Sequence, residues 1–198
     1  MSLFLESIKY SNGQFFRMNY HEKRFNGVRK IKFKEPKISL QEQIIVPDGL
    51  GDSTYKVRVV YDAQVQKVEF VPYELKTIQT LKVVHENQID YSFKAVDREQ
   101  LNNLFDQRAD CDDVLIVRNK KITDTSYCNV ALFDGSNWYT PKSPLLRGTQ
   151  RAFLIDFGLI IQEEIRLRDL KYFKKIRLFN SMIEWTDCMD VKLRNVIS

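Results

Sequence analysis

Apolar and polar positions alternate loosely along residues 3–10, a period of two that predicts a β-strand. Ser11-Asn12-Gly13 follows as a strong hairpin turn signal, and residues 14–18 read as a short returning strand. Asn19 and Glu22 have the spacing of a capping box, and the helix they open runs on through Val28 and Ile31. Pro36 ends this region, and Ser39 with Glu42 predicts a second short helix. After a Pro-Asp-Gly loop at 47–52, two β-rich runs, 55–61 and 65–71, turn tightly about Asp62-Ala63-Gln64. This half reads strand, strand, helix, helix, strand, strand, and closes near Pro72-Tyr73.

The pattern then changes. A strand is expected within 75–85, followed by the largely extended stretch 90–98 and a helix from Asp97 to about Gln107. Asp97 is placed to cap that helix, and its Leu101, Leu104 and Phe105 fall three and four apart. Residues 113–117 are continuously apolar after Asp113, as a buried strand requires, and Asn119-Lys120 make a turn. Residues 129–133 and 137–139 form a hairpin about Asp134-Gly135-Ser136, with an irregular connector over 141–146. Gly148-Thr149 open a helix that Gly158 ends; a strand at 159–165, a helical stretch at 169–174 and a strand at 175–183 finish the pattern. Strands and helices are interspersed with hairpins, so the expected fold class is α+β, in two lobes: an N-terminal α/β lobe at 1–76 and a C-terminal lobe at 77–198.

Composition narrows the picture only a little. With 198 residues, 43% hydrophobic and 29% charged, the chain has material for a substantial core and no sign of disorder. Net charge +5 permits an anionic ligand, but 31 Lys and Arg are scattered among 26 Asp and Glu, so no nucleic-acid footprint forms. Three cysteines without metal spacing read as reduced thiols of a cytoplasmic protein, and two histidines are too few for an imidazole zinc site. Nothing resembles a signal peptide or a membrane span.

Four separated features make chemical sense together. Lys94 ends an aromatic run, and a lysine in a partly desolvated place becomes a nucleophile toward carbonyls, as aldehyde cofactors exploit. Arg24 lies on the first helix, one turn past His21. Gly148-Thr149-Gln150 stands at a helix N-terminus, where backbone N–H groups and the dipole favour a phosphate. Asp124 follows a strand, and Thr125 and Ser126 add hydroxyls in a turn. Singly each is weak: most lysines and arginines are solvated, a Gly-Thr at a helix start is usually only a cap, and an aspartate in a turn is usually solvated. Jointly, an amine for an aldehyde, an acid for a pyridine nitrogen, and an arginine with a helix N-terminus for a phosphate are what pyridoxal 5'-phosphate requires.

The motifs carry a resemblance. Leu5-Glu6-Ser7-Ile8-Lys9, Gly13 and His21-Glu22-Lys23-Arg24-Phe25 are similar to the Phe-Glu-Thr-Ile-Arg, Gly, His-x-x-Arg-Leu run of the class IV (fold type IV) pyridoxal-phosphate enzymes. Lys94 with Asp97-Arg98 resembles that family's Schiff-base lysine region. Thr123-Asp124-Thr125-Ser126-Tyr127-Cys128-Asn129-Val130 resembles its Thr-Glu-x-x-x-x-Asn motif, and Thr140-Pro141, Leu146 and Gly148-Thr149-Gln150-Arg151 its last run. The resemblance implies that Lys94 is the Schiff-base lysine and proton carrier. It also implies that Arg24, Gly148, Thr149, Gln150, Thr125 and Ser126 hold the phosphate, and that Asp124 pairs with the ring nitrogen. His21 is expected to pack or orient Arg24. The implied protein is a homodimer acting on a small anionic, amino-acid-like substrate. An aminodeoxychorismate lyase-like activity is favoured, with an aminotransferase of D- or branched-chain amino acids or a non-catalytic relative as alternatives. Three departures stand out: the chain starts almost at the Phe-Glu-Thr-like run, so part of the usual active-site wall is absent or replaced; Asp124 stands for glutamate; and Gln150 stands for threonine.

Overall fold

A computed structural model of the protein describes residues 2–198. The chain divides into two compact units, one of residues 1–75 with 93–97 and one of 76–92 with 98–198. The first division falls beside the expected 76/77 boundary. The expected C-terminal lobe differs in one respect that bears on function: the segment holding Lys94 belongs to the first unit.

The first unit is a four-stranded sheet of order β2-β1-β3-β4, comprising β1 (Phe4–Ser11), β2 (Gln14–Phe15), β3 (Tyr55–Tyr61) and β4 (Val65–Pro72), with helix α1 (Met18–Val28). All its strand pairs are antiparallel, and Asn12 and Gly13 make the β1–β2 turn with φ 49° and 74°. Inward positions of β1 are Phe4, Glu6, Ile8 and Tyr10, every second residue, as pleating demands. Phe4, Ile8, Phe25, Val57, Val59 and Tyr61 lie in the core, with Phe93 and Ala95 packed against it. The α1 start differs from the expected capping box. Arg17 occupies the N-cap position in a left-handed conformation (φ 54°) without a side-chain cap, and the Glu22 carboxylate instead accepts the Leu40 backbone N–H at 3.0 Å. Past Val28 the helix widens into a π-helical turn at Arg29–Phe33, and the second expected helix is a single 3-10 turn at Gln41–Gln43.

The second unit holds two sheets. One has the order β13-β5-β6-β7, from β5 (Leu81–His85), β6 (Asp113–Arg118), β7 (Lys121–Ile122) and β13 (Val196–Ile197). The other has the order β10-β9-β8-β11-β12, from β8 (Asn129–Phe133), β9 (Trp138–Pro141), β10 (Ile161–Glu163), β11 (Lys175–Phe179) and β12 (Met189–Lys192). β5 and β6 run parallel, and residues 113–117 of β6 are all buried, which is why the run reads as continuously apolar. Helix α2 (Glu99–Phe105) starts two residues after the expected cap: Arg98, not Asp97, is at its N-cap position, and the expected Lys94 strand end is irregular chain with one β-bridge. Helix α3 (Thr149–Asp156) ends in a Schellman motif. Gly158, at φ 68°, donates to Ile155 O at 3.0 Å and Leu159 to Leu154 O at 2.9 Å. The expected strand at 159–165 shortens to β10, that at 175–183 to β11, and the helical stretch to a 3-10 helix at Leu167–Tyr172. Among the described residues no helix is long and apolar enough to cross a membrane, and no three His, Cys, Asp or Glu side chains group as metal ligands.

Candidate active site

In the first unit the chemistry gathers on β1 and α1. Glu6 is fully buried, and its carboxylate receives two bonds from one guanidinium: Arg24 Nε to Oε1 at 2.8 Å and Arg24 Nη2 to Oε2 at 2.6 Å. His21 Nδ1 stands 2.6 Å from Oε2, the ring itself fully buried. Burial alone pushes the Glu6 carboxyl upward, but the Arg24 charge and the His21 and Arg24 hydrogen bonds outweigh it and hold the group at about 2. Burial lowers the His21 pKa; the bond to Glu6 opposes this, and the Arg24 and Arg17 charges reinforce it. His21 is thus neutral, with Nδ1–H donated to the carboxylate. It shares the Glu6 carboxylate with Arg24.

Lys94 lies in the same unit, half-buried. Its carbonyl accepts the Leu5 N–H at 2.8 Å, Val96 N–H donates to Leu3 O at 2.9 Å, and Ala95 forms an antiparallel bridge with Phe4. The Phe93 ring sits 6.1 Å from that of Phe4, edge to face. Main-chain bonds and a core aromatic therefore tether the lysine backbone on both sides.

The acid and the helix start belong to the second unit, where β8 and α3 bring them together. Asp124 is 5% exposed and bridged to Asn129. Its Oδ1 accepts Asn129 Nδ2 at 2.6 Å, and its Oδ2 accepts the backbone N–H groups of Leu145 and of Leu146, the latter at 3.1 Å. Burial dominates and pushes the carboxyl up to about 6 against the pull of these donors and of Arg151. Asn129 Nδ2 also donates to Leu146 O at 2.9 Å. A Cβ at Gly148 would stand 2.0 Å from Asn129 Oδ1, so glycine is needed for this close approach, although its own φ of −65° suits any residue.

Gly148 is the N-cap residue of α3, whose first turn, Thr149, Gln150 and Arg151, is wholly buried. Gln150 is 1% exposed, and its Oε1 has no partner among the described residues. Such a buried orphan ordinarily costs about 1–3 kcal/mol, so a ligand or water is expected to meet it. The Thr125 hydroxyl accepts the Cys128 N–H at 3.1 Å, closing the turn that carries Ser126, whose carbonyl takes Arg98 Nη2 at 2.8 Å. Buried Asp113 is pushed up by desolvation, while the Ser126 and Thr125 hydroxyls pull it back.

The expected residues thus fall into two groups: Arg24 and Lys94 in the first unit; Asp124, Thr125, Ser126, Gly148, Thr149 and Gln150 in the second. Sequence reasoning gave no role to Glu6 or Asn129. Each had a signal: Glu6 is a charge at an inward position of an alternating strand and stands in the Phe-Glu-Thr-like run, and Asn129 is the asparagine of the Thr-Glu-x-x-x-x-Asn-like motif.

Residues 100–190 match the model of the amino-transferase class IV family. A Haemophilus influenzae protein, named only as uncharacterized, is 32% identical over 180 residues, 89% of this chain and 96% of its own. A solved structure from Haemophilus somnus, provisionally named a 4-amino-4-deoxychorismate lyase, is similar at TM-score 0.84 and 33% identity, over 92% of this chain and 97% of that one. Another from Mesorhizobium loti, provisionally named an amino-acid aminotransferase, shares the fold at TM-score 0.82 and 21% identity, over 97% and 99% of the two chains. With the motifs, the α+β fold and these relatives in agreement, the chain belongs to the class IV aminotransferase family.

Proposed function

We propose that the protein is a lyase that splits 4-amino-4-deoxychorismate into 4-aminobenzoate and pyruvate. Membership of the class IV family makes it a pyridoxal-phosphate-dependent enzyme. The observation that carries the lyase reading is the Haemophilus somnus relative so named, 33% identical over nearly all of both chains.

The donor set fits the cofactor in kind. Lys94 offers the amine for its aldehyde, and Arg24 and the first turn of α3 offer donors for its phosphate. Gln150, Thr125 and Ser126 are polar neighbours within the second unit. Asp124 offers the acid for the ring nitrogen. Of the four lone-pair positions of a carboxylate, protein donors occupy three, and the one that remains is on Oδ1. A bound pyridoxal phosphate with a protonated ring supplies the electron sink for a carbanion next to the substrate nitrogen.

The chain's own part is then to hold charge and move a proton. Asp124, ionised above about pH 6, keeps the ring nitrogen protonated. Lys94 Nζ takes the substrate α-proton. Arg24 and the α3 dipole neutralise the phosphate. The family resemblance also implies a homodimer, which sedimentation equilibrium measures directly.

The test is a coupled lactate dehydrogenase assay on cofactor-saturated protein given 4-amino-4-deoxychorismate. Pyruvate and 4-aminobenzoate should appear in equal amounts. No pyruvate, together with amino transfer from D- or branched-chain amino acids to a keto acid, would replace the lyase by an aminotransferase. Neither product would make the protein a non-catalytic relative.

A further inference from the structure

Glu6 is a fully buried charged group of the first unit that the proposed chemistry leaves unused. It stands between Phe4 and Ile8 on the inward face of β1, fully buried, where an alternating strand ordinarily places an apolar residue. Replacing a buried ion pair by apolar residues is often neutral or stabilising, so stability alone is a poor reason for this one. The geometry offers another. The two bonds from Arg24, 2.8 and 2.6 Å, are the parallel pair of a fork meeting a carboxylate, and they fix the plane of the guanidinium. They engage its Nε edge, so any further oxyanion meets Arg24 by the Nη1–Nη2 edge. His21 holds the carboxylate in turn, with Nδ1 at 2.6 Å from Oε2, and its ring is packed out of solvent. The order His21, Glu6, Arg24 is a relay of orientation: a buried ring fixes a carboxylate, and the carboxylate fixes an arginine that is 15% exposed.

Resting on the reading of Arg24 as a phosphate ligand, we infer that Glu6 is a positioning residue for phosphate recognition, aiming the outer edge of Arg24 at the cofactor's phosphate with His21 as its brace. Lysine could not replace Arg24 in this scheme, because an ammonium has no second edge to hold.

The experiment titrates cofactor-free protein with pyridoxal 5'-phosphate and, separately, with pyridoxal, which lacks the phosphate, and reads both by absorbance. Arg24→Ala should weaken pyridoxal phosphate by about ten- to a hundredfold, the size of charge-assisted hydrogen bonds, and leave pyridoxal unchanged. Glu6→Gln, which keeps the shape but not two full acceptors, should weaken pyridoxal phosphate by about tenfold and spare pyridoxal. The double variant should match Arg24→Ala alone, because Glu6 acts only through Arg24.

A residue that merely supports the fold would weaken both ligands or add to the Arg24 effect, and either outcome overturns the inference. Arg24→Ala with unchanged affinity overturns the phosphate-ligand reading itself; Arg24→Ala weakened with Glu6→Gln at parent affinity overturns only the role of Glu6. Should Glu6→Gln not fold, the His21 pair decides. His21→Asn keeps a donor near Nδ1 and should behave as the parent, whereas His21→Leu should lose phosphate selectivity. Equal behaviour of the two overturns the relay.

Discussion

Asp124→Asn turns a buried anion into a neutral amide of nearly the same shape, and its effect on stability can be worked out in advance. Burial is the strongest influence on the parent carboxyl and lifts it from 3.8 to about 6, against the pull of Asn129, Leu146, Leu145 and Arg151. A shift of that size corresponds to about 3 kcal/mol between the protonated and ionised forms. A carboxyl whose folded pKa is raised keeps its proton in the folded state after the unfolded chain has released it. From about pH 4 to 6, therefore, the folded parent binds more protons than the unfolded one, and its unfolding free energy falls as pH rises, then levels off. The variant has no such titration. It carries a separate penalty of about 1–3 kcal/mol, because the new amide nitrogen must face a donor: either Asn129 Nδ2 or the Leu145 and Leu146 N–H groups.

That penalty is independent of pH, so the two effects separate in one experiment. Urea unfolding of the cofactor-free proteins, followed by tryptophan fluorescence, reports the right region. Trp138 and Trp185 both belong to the second unit, with ring centroids 5.4 Å apart. The variant's stability relative to the parent should rise by about 3 kcal/mol between about pH 4 and 7. A difference that is flat across this range, or that falls, refutes burial as the dominant influence on Asp124.

Two further outcomes are expected. Borohydride reduction of cofactor-loaded protein followed by peptide mass mapping should place the phosphopyridoxyl group on Lys94, and an adduct on another lysine would remove Lys94 from the proposed chemistry. Gly148→Ala should destabilise the second unit by about 2–4 kcal/mol, measured by the same fluorescence unfolding. The added Cβ would force Asn129 off its bonds to Asp124 and Leu146; an unchanged midpoint would show that Asn129 can turn away at no expense.

Local signals were legible where the local chain decides the outcome. Asn119 and Lys120 have φ 52° and 65°, as the tight turn before β7 requires, and Gly158 ends α3 in the left-handed conformation that glycine permits. β12 and β13 left no trace in the pattern, being four and two residues long, and β13 pairs with β5 from the start of the second unit. The capping box at Asn19 failed for a tertiary reason: Glu22 finds the Leu40 N–H, a partner outside its helix, and α1 starts earlier at Met18. In the candidate site, residue types and order were readable, because motif chemistry depends on type. What Glu6 and Asn129 do was not, since each acts through partners far away in sequence or through the close approach of a backbone. The placement of Lys94 with the first unit was equally hidden, because a lone bridge between Phe4 and Ala95 has no local signature.

That bridge also sets an order of events during synthesis. The strands β1 to β4 lie within residues 4–72 and can pair as soon as they leave the ribosome. The stretch that completes the start of β1, 93–97, comes later, in the connection that leads from β5 to its parallel neighbour β6. Until it arrives, the edge at Leu3–Leu5 lacks its partner and is open to other strands. Closing the loop 73–92 onto a sheet already formed costs about 3 kcal/mol in chain entropy, and the core contacts of Phe93 and Ala95 must offset it. A nascent chain halted before residue 93 would thus own a nearly finished first sheet and lack Lys94. The lysine reaches its place only when the second unit is already being built, so the amine proposed to meet the cofactor is among the last parts the first unit receives.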